Sequence, residues 1–203
     1  YNIWDAGSAK AVADAGAKAI ATGSYGVAGA HGFKDGETFP VELVLSNLTE
    51  ILNVTDLPVT LDFESGYGDD PAAVEASVAR AADAGAVGIN IEDKDPVTRI
   101  LFETADAAAR IKAAAASGLW INARADSFIV TPKEAHDVAL ADAVLERAKA
   151  YADAGANSLF VPFVYDAALI ARICENSPLP VNILVGEGIP DIKALAALGV
   201  ARI

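Results

Sequence analysis

One cysteine, two histidines and no methionine occur among 203 residues. The lone Cys174 excludes an internal disulfide framework and a cysteine-built zinc centre. His31 and His136 are too few for an imidazole-rich metal site, and neither ends a predicted strand. No stretch nears the roughly 20 consecutive apolar residues of a membrane helix, so no membrane partner is expected. No charged-then-apolar leader opens the chain, and the expected compartment is cytoplasmic. Basic residues are scarce too: 15 Lys and Arg against 28 Asp and Glu leave a net charge of −13. Such a surface repels phosphate backbones, so no nucleic-acid partner is expected. An anionic substrate would need a local device: a metal, an arginine or backbone amides. What is abundant is apolar, 53% of residues, with 21% charged. That composition is globular, and with no linker or low-complexity segment it reads as one domain over 1–203.

The strongest pattern is an internal repeat. Ala13-Asp14-Ala15-Gly16-Ala17 returns as Ala82-Asp83-Ala84-Gly85-Ala86 and as Ala152-Asp153-Ala154-Gly155-Ala156. A variant, Ala197-Leu198-Gly199-Val200, precedes the last run. Each copy ends an alanine-rich amphipathic stretch, where glycine suits the left-handed position after a helix. Each is followed by a short apolar run: 19–21, 87–91 and 158–161. Further runs fall at 57–63, 119–124 and 179–184, and Asn2-Ile3-Trp4-Asp5 reads as the end of a first strand. The runs are β-branched and do not alternate, as in strands buried on both faces. The clearest helices lie over 73–84 and 143–154. About eight strand–helix alternations predict a parallel α/β fold, a (β/α)8 TIM-type barrel. Residues 22–40 are too long for an ordinary connection and read as a binding loop.

Strand C-terminal ends carry the chemistry of such a barrel. They hold Asp5, the loop Thr22-Gly23-Ser24-Tyr25-Gly26, Asp62, Glu64, Glu92, Asp93, Arg124, Asp126 and Asn182. Each acid has a plain alternative as a helix N-cap. Asp62 and Glu64, two apart on a strand, would face one way, and Glu92 ends the next strand. Three carboxylates with no cysteine or histidine suit a hard cation, Mg2+ first. Ser24-Tyr25-Gly26 would offer amides to an oxyanion. Arg124, among apolar residues, needs an anion: a substrate carboxylate or a structural partner such as Asp126. Asn182 is polar within a buried run and needs hydrogen bonds. Gly66 and Gly68 allow a tight turn near a ligand, and Asp70-Pro71 is a helix start. Lys94, among charges, reads as loop surface or a substrate contact. Cys174 reads as a small buried residue.

Taken in order, Asn2-Ile3-Trp4-Asp5-Ala6-Gly7-Ser8-Ala9, Lys34-Asp35-Gly36-Glu37, Asp62-Phe63-Glu64-Ser65-Gly66-Tyr67-Gly68, Ile91-Glu92-Asp93, Ala123-Arg124-Ala125-Asp126 and Pro180-Val181-Asn182-Ile183-Leu184 resemble the isocitrate lyase/phosphoenolpyruvate mutase superfamily. Within it they are similar to bacterial phosphoenolpyruvate-phosphonomutase-like proteins. The resemblance implies a Mg2+-dependent enzyme that makes or breaks a C–C or P–C bond beside a 2-oxo acid carboxylate, through an enolpyruvate-like oxyanion. By position it makes Asp62, Glu64 and Glu92 metal-binding acids and Asp35 a catalytic acid near them. Ser24 and Tyr25 would cradle the substrate oxyanion, Arg124 would anchor the substrate and act in catalysis, and Asn182 would line the pocket. The implied partner is a small anionic 2-oxo or phosphono acid. The implied assembly is a homo-oligomer, dimer or tetramer, whose final helix lies outside these residues and is exchanged between subunits.

One segment departs from the family. Its lyases carry Lys-Arg-Cys-Gly-His on the loop after the fourth strand, and its mutases a lysine with asparagine or threonine. Here the loop reads Lys94-Asp95-Pro96-Val97-Thr98-Arg99-Ile100. A cysteine-based lyase mechanism is therefore disfavoured. Three other readings remain: oxaloacetate decarboxylation or hydrolysis on the same barrel, a non-catalytic binding barrel, and a Schiff-base aldolase for which no lysine is well placed.

Overall fold

Apolar runs and alanine-rich stretches become strands and helices in the alternation their periods dictate. The structure, a computed structural model, describes residues 2–203. In chain order it contains β1 (Asn2–Ile3), α1 (Ala6–Asp14), β2 (Ile20–Thr22), α2 (Ser24–Ala30), α3 (Val41–Leu52), β3 (Val59–Asp62), α4 (Pro71–Asp83), β4 (Gly88–Glu92), α5 (Thr104–Ala115), β5 (Trp120–Arg124), α6 (Ser127–Val130), α7 (Val138–Asp153), β6 (Ser158–Val161), α8 (Ala167–Asn176), β7 (Val181–Ile183) and α9 (Ile192–Ala197). The seven strands form one sheet in the order β1-β2-β3-β4-β5-β6-β7. Parallel strands paired in chain order mark the (β/α) barrel; a doubly wound sheet reverses its order partway. The terminal run adds a parallel bridge between Asn182 and Arg202, where the eighth strand was expected.

The repeat glycines do the work expected of them. Gly16, Gly85, Gly155 and Gly199 follow α1, α4, α7 and α9 with φ of 95°, 104°, 99° and 89°. A side chain there would strain the backbone, so the motif is a helix stop. Aspartates start the helices: Asp5, Asp70, Asp137, Asp166 and Asp191 each accept an amide of the first turn. Residues 22–40 differ from the expectation of a loop. Ser24–Ala30 are helical, with Val27 and Ala28 buried, because two apolar residues outweigh the glycines around them.

Chain contacts divide the single expected domain into two compact units, each discontinuous in sequence. The first comprises residues 1–91 and 113–121, the second residues 92–112 and 122–203. In the first, Val59, Leu61 and Phe63 are buried with Val74, Val78 and Ala81 of α4. In the second, Leu159, Val161 and Ile183 are buried with Val144, Ala148 and Tyr151 of α7. Each large aliphatic side chain contributes roughly 1.5–3 kcal/mol by burial.

Candidate active site

In the first unit, acids collect where β3 ends. Asp62 is the last residue of the strand, and its amide donates to the Thr22 hydroxyl at 2.9 Å. One carboxylate oxygen accepts from both the amide and the hydroxyl of Ser24, at 2.9 and 2.8 Å; the other accepts from Asn90 Nδ2 at 2.9 Å. Glu64 is only 3% exposed and has φ of +46°. The chain has left the strand there, so the expected two-residue alternation does not apply. The left-handed turn nevertheless brings Glu64 to the cavity that Asp62 lines. That cavity, about 10 Å³, is bordered by polar Thr22, Ser24, Asn47, Asp62, Glu64 and Tyr67 and by apolar Val27, Phe39, Val44 and Leu61, and has room for one water-sized species.

Glu64 accepts from the Glu37 amide at 2.5 Å and the Tyr67 hydroxyl at 3.0 Å. These dipoles do not offset its surroundings. Burial, with the charges of Asp35 and Asp62 adding to it, pushes its carboxyl up to about 7. Burial and the Glu64 charge likewise push the Tyr67 phenol up, so it remains a donor. Glu37, itself at φ +55°, braces the segment after β3: its Oε1 accepts from Ser65 N, Ser65 Oγ and Tyr67 N at 2.9, 2.7 and 3.1 Å. The glycines of that segment lie close to protein. A Cβ on Gly68 would lie 2.5 Å from Val74 N, so the turn packs on the start of α4.

The second unit treats its acids differently. Lys94 is 3% exposed and pairs with Glu92 at 2.7 Å and with Asp126, which is wholly buried. Arg124 donates from Nε to Asp126 at 2.5 Å and lies 3.5 Å from Glu92. Burial opposes the Asp126 charge, yet Arg124 and Lys94 outweigh it and hold that carboxyl below its ordinary value. Lys94 is thus not loop surface: the chain turns it inward at an antiparallel bridge to Leu101, beneath a short hairpin closed by Asp95 and Thr98. Asp93 anchors the same region. It accepts from the Asp126 amide, the Tyr151 hydroxyl and Arg147 at 2.8, 2.6 and 3.1 Å. Burial pushes the Asp93 carboxyl up against these partners.

Several expected residues have other employment here. Asp5 is a helix cap: it accepts from Ser8 N at 2.7 Å, and that bond holds its carboxyl below the ordinary range. Asp70 caps α4 with Pro71 behind it, as expected. Asp35 is exposed, facing Glu64 only through its charge. Tyr25 is 81% exposed, and the Ser24 amide expected to cradle an oxyanion is directed to Asp62. Asn182 is buried in β7, paired in register with Phe160. Among the described residues no group of three or more His, Cys, Asp or Glu is placed to hold a metal ion. The reason is local: Asp62 and Glu64 are turned to amides and hydroxyls, while Glu92 is turned to Lys94 and Arg124. Cys174 is partly buried, and its thiol is pushed up to about 11 by that burial.

Sequence reasoning missed Glu37, Asn90, Arg147 and Tyr151. Asn90 carried the same signal as Asn182, a polar residue within an apolar run. Glu37 sits just after Gly36, in a turn whose φ values no pattern reveals. Arg147 and Tyr151, four apart on α7, fall within a stretch that reads only as helix.

Comparison with known proteins follows the same lines. The sequence profile of the family described as phosphoenolpyruvate phosphomutase matches residues 1–203. An uncharacterized protein of Mycobacterium tuberculosis is 36% identical over the whole chain, which spans 74% of that relative. The 2-methylisocitrate lyase of Salmonella typhimurium is 30% identical over 82% of the chain, which spans 58% of the lyase, a little over half its length. Among crystal structures, a candidate phosphonomutase of Burkholderia cenocepacia J2315 superposes with a TM-score of 0.95 at 50% identity, over 99% of this chain and 82% of that one. With its consecutive parallel strands and its buried strand-end carboxylates, the chain belongs to the phosphoenolpyruvate phosphomutase family, within the isocitrate lyase/phosphoenolpyruvate mutase superfamily of enzymes.

Proposed function

We propose that the chain is a Mg2+-dependent enzyme that makes or breaks a C–C or P–C bond beside the carboxylate of a small 2-oxo or phosphono acid. The observation that carries this is Glu64. It is buried, its charged neighbours Asp35 and Asp62 are acids, and it titrates near 7. The carboxylate oxygens of Asp62 and Glu64, which reach a water-sized cavity walled also by Val27, Phe39, Val44 and Leu61, are the hard donors that Mg2+ prefers. Asp62 and Glu64 would hold the ion there, with Asp35 as the further acid of the same unit that the family resemblance assigns. When bound, the ion would supply Lewis-acid stabilisation for negative charge developing on the 2-oxo oxygen.

The chain's own residues do the rest. Ser24 and Asn90 fix the rotamer of Asp62, and Glu37 and Tyr67 fix Glu64, so the acids need little reorganisation. Arg124, 15% exposed at its side chain, keeps a planar fork directed by Asp126 and would anchor the substrate carboxylate. Lys94 shares the charge of Glu92 and Asp126, leaving Arg124 with capacity for a further anion. The hairpin over 94–101 holds no cysteine, which favours a P–C bond change or oxaloacetate decarboxylation over cysteine-assisted C–C cleavage.

Calorimetry with Mg2+ and oxalate, an enolate mimic, tests the site. Product assays on phosphonopyruvate, oxaloacetate and 2-methylisocitrate, with and without chelator, test the reaction. We expect saturable Mg2+ binding that Asp62→Asn abolishes, and chelator-sensitive turnover of one of the three acids. Binding of neither ion nor oxalate would sink the reading. Binding with no turnover would leave a ligand-binding barrel.

A further inference from the structure

The second unit carries a cleft that the proposed chemistry does not use. It lies between the segment that follows β5 and the segment that follows β6, and has a volume of about 310 Å³, within the range of small-molecule sites. Its walls are largely aromatic. The His136 ring stands edge-on to Phe128 at 4.8 Å and stacks with Tyr165 at 6.5 Å, and Phe163 lies 6.4 Å from Tyr165. Lys133 Nζ sits 4.0 Å over the Tyr165 ring. Among the described residues Lys133 has no carboxylate within ion-pair distance, a state it shares with exposed Lys18, Lys34, Lys112 and Lys193; what sets it apart is its seat on an aromatic ring at the cleft. The adjacent helix-capping acids are occupied: Asp137 accepts from Leu140 N and Asp166 from Ala168 N.

A second, independent observation points the same way. Phe163 has φ of +61° and is 41% exposed. A bulky side chain in the left-handed region is strained, and strain of this kind persists where the side chain's position matters more than the backbone's comfort. Burial does not account for it, since the ring stands at the rim of the cleft in contact with water.

We infer that this cleft binds a small carboxylate with a flat apolar body, its ring between Phe163, Tyr165 and His136 and its anionic end at Lys133. The ring faces would take the apolar body by offset or edge-on packing, and the ammonium would pair with the carboxylate. The inference rests on the cleft's own residues and stands whether or not the proposed reaction is correct.

The two histidines supply the readout. In protein labelled at histidine, His136 reports the cleft and His31, in the first unit, serves as the control. The probes are phenylacetate, acetate (charge without ring) and benzyl alcohol (ring without charge), titrated without Mg2+. Saturable shifts at His136 but not His31, tightest for phenylacetate, are expected. Lys133→Gln and Phe163→Gly should each weaken that binding about tenfold. Phe163→Gly relieves the strained backbone, so an unchanged or raised Tm would show that its loss is not misfolding. No shift at His136, equal binding of acetate or of benzyl alcohol, or indifference to both substitutions would overturn the inference. So would a His136 signal that moves on dilution alone, since the cleft would then belong to a second copy of the chain.

Discussion

Two regions of this molecule take carboxylates out of water at strand ends, and they neutralise them by different means. At the end of β4 and β5, Glu92 and Asp126 meet Lys94 and Arg124, and Asp93 meets Arg147. Acids and bases there are matched within one unit. At the end of β3, Asp62 and Glu64 meet only dipoles: amides, a hydroxyl, a phenol and a carboxamide. The consequence shows in titration. Asp126 is held below its ordinary value, while Glu64 is driven up to about 7. A buried charge is stable when its counter-ion is built in; where none is built in, the group keeps its proton or waits for a cation from solution. Under the proposed function, the matched region is scaffold and anion anchor, and the unmatched region the place for an ion.

The comparison breaks most visibly at Lys94. Removing it leaves Asp126, wholly buried, and Glu92 short of one counter-ion. Losing one partner of a buried pair costs about 3–5 kcal/mol. Lys94→Ala should lower stability in urea unfolding by that order at pH 7. Because the Asp126 carboxyl is lowered, the stability it contributes is present above about pH 3.8 and is lost as pH falls through its folded value. The Lys94→Ala penalty should therefore shrink in acid. A loss under about 1 kcal/mol at pH 7 would mean that water, not Lys94, satisfies these acids.

Glu64 should behave in the opposite sense. Its folded pKa is raised, so the folded state holds the extra proton and stability falls as pH rises from about 4.5 to 7. Above that window the penalty is complete. Glu64→Gln, neutral at every pH and similar in shape, should then be more stable than the parent by about 3 kcal/mol at pH 8 and roughly equal to it at pH 4. Mg2+ adds a sharper form of the test. If the ion binds these acids, it should raise the Tm of the parent at pH 8, by mass action, and leave Glu64→Gln nearly unmoved. An equal rise in both proteins would place the ion elsewhere.

These contrasts also explain what the sequence could disclose. The barrel was legible because its signals are periodic: the glycine after each alanine-rich helix and the β-branched runs need no partner to be recognised. Asp62, Glu64, Glu92 and Arg124 were legible as strand-end groups for the same reason. Their partners were not. Whether Arg124 faces Asp126 or a substrate, and whether Lys94 lies inside or outside, depends on a hairpin between residues 94 and 101 whose turn only the fold reveals. Glu37 was hidden more deeply, since its reach to Ser65 and Tyr67 crosses 28 and 30 residues of chain. Spacing rules describe neighbours along a strand or helix; they are silent on bonds made across loops.

Asp5 gives the smallest effect and the control for the rest. It too is an acid following a strand, and by position alone it ranks with Asp62. The structure assigns it a reciprocal cap with Ser8: its carboxylate accepts the Ser8 amide at 2.7 Å while the Ser8 hydroxyl accepts the Asp5 amide at 3.1 Å. Asp5→Ala should therefore cost about 1 kcal/mol, the ordinary value of an N-cap, and Asp5→Asn less. Neither should change Mg2+ affinity, because the charge of Asp5 is spent on the first turn of α1. If Asp5→Asn weakened Mg2+ binding as strongly as Asp62→Asn, the division between capping acids and ion-binding acids would fail. Bond partners would then be a poorer guide to function than position on the barrel.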